Sequence, residues 1–233
     1  MLVFGEVVLY IKLAFCVAND ILGTSGNILN MFAALLITLR ETLEASLIVG
    51  IMLAYLNKTD NSAHKKYVWA GVVAGVVVSA VLAYVFEHYL GGFEGRAEQL
   101  YEGVAMLFAG VLLTWMILWM LRQRNGVRAN LEAKAHAHIA GDHPWGLFFL
   151  VFISVAREGI ETVLFLQAAI FQSGMTGLLP GGILGVVLAV GLSYLMFKGF
   201  ARVPLKKFFT VTSLLLILFA AGLISHSVLE FQE

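Results

Sequence analysis

One cysteine in 233 residues, Cys16, excludes an internal disulfide and any thiolate-based zinc or iron–sulfur centre. Charge is almost as scarce. Asp, Glu, Lys and Arg together make up 13% of the chain, against about 25% in a soluble domain. Those charges balance to a formal net of zero, which leaves neither a basic field for nucleic acid nor an acidic tail. Proline occurs three times. The chain also lacks a Gly-rich phosphate loop, a dinucleotide fingerprint and a nucleophile–base motif. Nothing here holds a nucleotide, so any work the protein does draws on an ion gradient, a membrane potential or a partner.

What is abundant is apolar surface: 60% of residues are hydrophobic, and 23 are glycine. Apolar runs of bilayer length recur along the whole chain, so a soluble protein with a large core does not fit. Small residues suit close helix packing in lipid. Six spans emerge, at about 31–55, 67–86, 103–121, 145–171, 181–197 and 208–229, each near the roughly 20 residues a helix needs to cross. Tyr55, Tyr67, Trp69, Tyr89 and Trp145 sit near span ends, as interfacial anchors do. The fold expected is all-α and polytopic, with a permease domain at 31–233, halves 31–121 and 145–230, and a cytosolic linker 122–144 carrying an amphipathic helix. Residues 1–30 form an apolar stretch broken by Glu6 and Lys12. They are a candidate for a seventh helix, an interfacial helix, or a stretch upstream of the true start at Met31.

Loops one, three and five carry eleven Lys and Arg, from Lys58 to Lys207, while loops two and four carry only Arg96. That alternation puts the odd loops in the cytoplasm, as expected of a multi-pass protein of the plasma (inner) membrane.

Six charges interrupt this pattern at span centre: Arg40, Glu41 and Glu44 in the first span, Arg157, Glu158 and Glu161 in the fourth. Each set reads R-E-x-x-E. Left unpaired in lipid they would cost on the order of 15–20 kcal/mol together, so they face inward and are used. The two copies lie 117 residues apart in spans of opposite direction, the signature of a 3+3 inverted repeat, which sets a substrate site at the midplane. On a helix, residues three and four apart are neighbours: Arg40 reaches Glu44 and Arg157 reaches Glu161. Four carboxylates and two guanidiniums sharing one cavity would carry a net charge of about −2. With no Cys or His in either motif, the donors suit a hard, highly charged cation such as ferric iron rather than copper(I) or zinc. An ion-pair staple would need only two Arg–Glu pairs and leaves two Glu unexplained.

At these residues the chain resembles the high-affinity, oxidase-dependent iron permeases, also grouped as iron/lead transporters. The resemblance runs through RETLEASLIVGIMLAYL, EGVAMLFAGVLLTWMILWM and VAREGIETVLFL, and covers about Met31 to the end. It implies iron ligation by Glu41, Glu44, Glu158 and Glu161, with Arg40 and Arg157 orienting them. It also implies an oxidase or extracytoplasmic delivery partner, iron as cargo, no organic cofactor, and a transporter rather than an enzyme. Family members usually continue through a seventh helix where this chain ends at Glu233, so the sequence is a fragment or the N-terminal segment takes that place. Oligomerisation is compatible with either.

Secondary candidates flank the outer side. Glu87, Glu94, Glu98 and Glu102 form an acidic mouth that raises local cation concentration, with Glu98 and Glu102 nearest the route. His226 and Glu230, four apart, are a candidate metal-handling pair, against a hydrogen-bonded interfacial His. His136, His138, Asp142 and His143 in the linker are an exit candidate, against a solvated face. Rival readings are a lead or manganese transporter, a membrane metal sensor without flux, and a di-metal carboxylate enzyme. The last lacks the Glu-x-x-His that soluble di-iron bundles use.

Overall fold

The computed structural model describes residues 26–90, 96–122, 144–173, 177–198 and 205–231. Six α-helices span them: α1 Gly26–Lys58, α2 Lys65–Leu90, α3 Arg96–Arg122, α4 Pro144–Ser173, α5 Leu178–Phe197 and α6 Leu205–Glu230, with a 3-10 turn Ser62–His64 joining α1 to α2. Each coincides with one expected span, though α1 starts at Gly26 rather than Met31. No charge or proline lies between those positions to stop the helix earlier. The candidate seventh helix and the linker helix fall outside the described residues, as do His136, His138, Asp142 and His143.

Four helices are long and apolar enough to cross a membrane by composition, over Ser62–Phe86, Gln99–Trp119, Leu178–Phe197 and Phe208–Val228. The other two, α1 with 33 residues and α4 with 30, carry the charged motifs, which put three charges at the middle of each. At about 1.5 Å per residue both exceed the roughly 30 Å hydrocarbon core. Exposed apolar side chains such as Val73, Trp115, Ile183 and Leu214 cover the outside of the bundle, the surface expected against lipid. The protein is an all-α, multi-pass integral membrane protein.

The packing obeys the inverted repeat. α1 packs most extensively on α5, and α2 on α4; exchanging the halves turns one pair into the other. Small residues set both contacts. A methyl group on Gly71 of α2 would come 2.8 Å from the Phe148 carbonyl oxygen, and on Gly75 2.9 Å from Val155. On α5, Gly181 meets the backbone of Met31 and Gly185 that of Leu35 and Leu39. Contacts advance together along both chains, so α5 runs parallel to α1 and α2 parallel to α4. α3 and α6 pair with each other in the opposite sense, Gly103 against Phe231 and Gly110 against Ile224, locked by Ser227 Oγ donating to the Gly103 carbonyl at 2.7 Å.

The repeat is also written in the second helices. Gly71, Gly75, Val76, Val77, Leu82 and Tyr84 recur 110 residues later as Gly181, Gly185, Val186, Val187, Leu192 and Tyr194. Thr38 Oγ1 adds a cross-helix bond to the Gly182 carbonyl at 3.0 Å. Two bodies result, α1 with α5 and α2 with α4, meeting where α1 crosses α4.

Candidate ion site

The motifs lie at that crossing. Arg40 is wholly buried, and Glu41 and Glu158 are 1% and 7% exposed. Arg40 Nε stands 3.1 Å from Glu44 Oε1, and its Nη1 3.9 Å from Glu41 Oε1. One guanidinium therefore reaches both carboxylates of its own motif, Glu44 as the i,i+4 spacing predicts and its sequence neighbour Glu41 at longer range.

Across the interface, Glu158 joins Glu41 and Glu44. One carboxylate oxygen from each lies within 4.8 Å of the others. Both Glu41 oxygens and Glu158 Oε2 are buried and receive no N–H or hydroxyl donor among the described residues. Buried carboxylate oxygens without donors are unstable unless a cation, a proton or water meets them. Three acids and one guanidinium, fully ionised, leave this cluster two charges negative. Among the described residues the cluster is an all-oxygen, anionic set of donors, with no His or Cys in it.

The fourth acid departs from the expected symmetry. Glu161 is held by Arg157, Nε to Oε1 at 2.8 Å, and the two line a separate pocket with Trp115 and Trp119. Arg157 is half-exposed and its guanidinium stands 5.3 Å from the Trp119 ring centre, a cation–π distance. So the structure brings together three of the four glutamates, while the second arginine turns toward the Trp119 ring.

Comparison with known proteins gives this geometry a context. The profile of the iron permease FTR1 family matches residues 31–233. The chain belongs to that family. The ferrous iron permease EfeU of Escherichia coli O157:H7 is 37% identical over 207 residues, covering 87% of this chain and 74% of the relative. EfeU of Yersinia pestis is 37% identical over 205 residues, 87% and 73% of the two chains. The relative from Escherichia coli K12, also 37% identical over 207 residues, carries a name that calls it inactive. No solved structure matches. The family is one of iron permeases, and iron transport is the activity that membership supports.

Of the outer candidates in this permease, His226 Nε2 stands 3.8 Å from Glu230 Oε1. Glu102 sits half-buried at the start of α3, where Gly103 backs onto the Glu230 side chain. The side chains of Glu87, Glu94 and Glu98 lie outside the described residues. Two contributors carry no motif signal in the sequence. Trp119 is one aromatic among many at an expected span end. Ser193, 5% exposed, reads in the sequence as a lone serine in an apolar helix.

Proposed function

We propose that this permease carries ferric iron into the cytoplasm, holding it at midplane between Glu41, Glu44 and Glu158. The observation that supports this most is the convergence of three carboxylates from two repeat-related helices, two of them buried with oxygens that meet no donor among the described residues. Carboxylate oxygens are hard ligands and suit a hard, trivalent ion. Arg40 keeps Glu41 and Glu44 in place between transport events, and its planar fork can serve two acids at once. Glu161 acts from the side, through Arg157, in adjusting the field at the cluster. The direction of transport rests on the lysine-rich loops facing the cytoplasm of the plasma (inner) membrane. An oxidase or delivery protein on the opposite side supplies the ion, near Glu98, Glu102, His226 and Glu230.

A second reading, ferrous iron as the species carried, is supported by the names of the relatives and by charge. A divalent ion would cancel the two negative charges of the cluster. The two readings separate in uptake measurements with radiolabelled iron, in a strain lacking its own permease. Iron offered as ferric citrate, or as ferrous iron kept reduced with ascorbate, is compared with and without a ferrous-specific chelator. Ferric transport gives uptake that the chelator leaves intact; uptake only from the reduced supply, abolished by the chelator, selects the ferrous reading. Manganese or lead taken up equally well would remove iron selectivity from the proposal, and binding without flux would make the protein a sensor.

A further inference from the structure

The carboxylate cluster is open toward one end of the bundle. A cavity of about 850 Å³ starts at Glu41 and Glu158 and runs between the two bodies to Asn57, Trp69 and Phe197. Those three residues stand at the end of α1, the start of α2 and the end of α5, beside Lys58, Lys65, Lys66 and Lys198. Toward the other end the same helices close. Ala34, Ala169 and Leu178 pack into one apolar cluster backed by Leu166, Ile170 and Phe219.

The walls decide what the cavity holds. Most of the lining is apolar, Val72, Val76, Val186 and Val190 among it. Thr42, Ser46, Ser79, Thr162 and Ser193 line it too, with Ser79 and Thr162 donating to the Gly75 and Glu158 carbonyls of their own helices. Ser193 is buried, and its Oγ has no hydrogen-bond partner among the described residues. The register of α5 on α1, with Gly185 at Leu35–Leu39 and Phe197 at Gly50, sets Ser193 level with Ala45 and Ser46. That is a little over one helical turn, roughly 6–7 Å, beyond Glu41. An acyl chain would leave this hydroxyl and the Glu41 and Glu158 oxygens unsatisfied, whereas water or a hydrated ion satisfies them. At about 30 Å³ per molecule the space takes well over a dozen waters.

We propose that this cavity is the water-filled release route from the carboxylates to the lysine-rich end, and that Ser193 supplies an unpartnered hydroxyl on it. A neutral hydroxyl replaces one water of the leaving ion without adding charge that would trap it, as a route that must be left as well as reached requires. The role given to Ser193 rests on the carboxylates being the iron site; the hydration of the cavity does not.

The test uses the full chain with Cys16→Ser, carrying Ser46→Cys, Ser193→Cys or, on the outer face of α5 away from the cavity, Val187→Cys. A membrane-impermeant methanethiosulfonate is applied to sealed right-side-out and inside-out vesicles without iron. A thiol reacts as thiolate, which forms in water and not in hydrocarbon. The Ser46→Cys and Ser193→Cys variants should label at least ten-fold faster from the lysine-rich side, and the Val187→Cys variant from neither. Labelling from neither side at both cavity positions would mean lipid fills the cavity; faster labelling from the opposite side would reverse the route. Either result overturns the proposal. In iron uptake, Ser193→Ala should lower the maximal rate several-fold at unchanged half-saturation, with Ser193→Thr restoring it. A wild-type rate in Ser193→Ala would remove Ser193 from the route. Because labelling is read without iron, a failure of the carboxylate assignment would show in uptake alone and leave the labelling pattern standing.

Discussion

Adding one methyl group to α5 should move the protein's stability in opposite directions at two glycines six residues apart. At Gly185 a Cβ would come within 2.6 Å of the Leu35 carbonyl oxygen and 3.0 Å of the Leu39 amide nitrogen. Both are backbone atoms of α1 and cannot swing aside, so Gly185→Ala must push α5 off α1. Overpacking of this kind costs about 1–3 kcal/mol. At Gly191 nothing lies within 4 Å of the same methyl, and replacing an exposed mid-helix glycine by alanine gains about 0.5–1 kcal/mol. For a chain of this size each kcal/mol moves the melting temperature by roughly 2–4 °C. Thermal unfolding in detergent should therefore show Gly185→Ala about 2–12 °C below wild type and Gly191→Ala about 1–4 °C above it. Gly185→Ala should also slow iron uptake, because α1 carries Glu41 and Glu44. Shifts of the same sign and size would mean that α1 and α5 do not pack at this distance, and the two-body description would fall with it.

Replacing Arg40 by Lys keeps the charge but not the fork that reaches Glu44 and Glu41 together; uptake should fall at least ten-fold, with membrane expression retained on immunoblots. Arg157→Lys should lose less, since Arg157 serves one carboxylate and one indole ring. Ser227→Ala removes the bond to the Gly103 carbonyl and should cost about 1 kcal/mol, read as a melting-temperature drop of roughly 2–4 °C with uptake unchanged. At the outer mouth, Glu87→Gln and Glu94→Gln should weaken uptake modestly, mainly at limiting iron and low salt, because their field is screened over about 8–10 Å. Glu98→Gln and Glu102→Gln should weaken it more and with less dependence on salt, and uptake curves at two salt concentrations check both.

The helices were legible because their signal is length and hydropathy, which need no tertiary information, and the charged motifs stood out against that apolar background. The pairing of Arg40 with Glu44 followed from i,i+4 geometry alone. What the sequence could not tell was how two identical motifs would differ. Arg40 is buried and Arg157 half-exposed, and the ring of Trp119 beside Arg157 is a contact that arises only after the helices assemble. For the same reason Glu161 leaves the cluster that Glu41, Glu44 and Glu158 form. The second-helix repeat was present in the residues all along, as Gly71 and Gly75 against Gly181 and Gly185. It is easily passed over, since glycine among valines reads as ordinary membrane composition until a neighbouring backbone is seen at contact distance. Ser193 was hidden in the same way: a lone serine in an apolar helix becomes informative only when its hydroxyl is found buried without a partner.

The central claim is that Glu41, Glu44 and Glu158 together hold the ion during transport. Its most direct test is radiolabelled iron uptake into liposomes containing only the purified protein, with Glu41→Gln, Glu44→Gln, Glu158→Gln and Glu161→Gln each reconstituted at equal density. Each glutamine keeps the volume and removes the charge. The account predicts flux near that of empty liposomes for the first three and partial flux for Glu161→Gln. Normal flux in any two of the first three would contradict it.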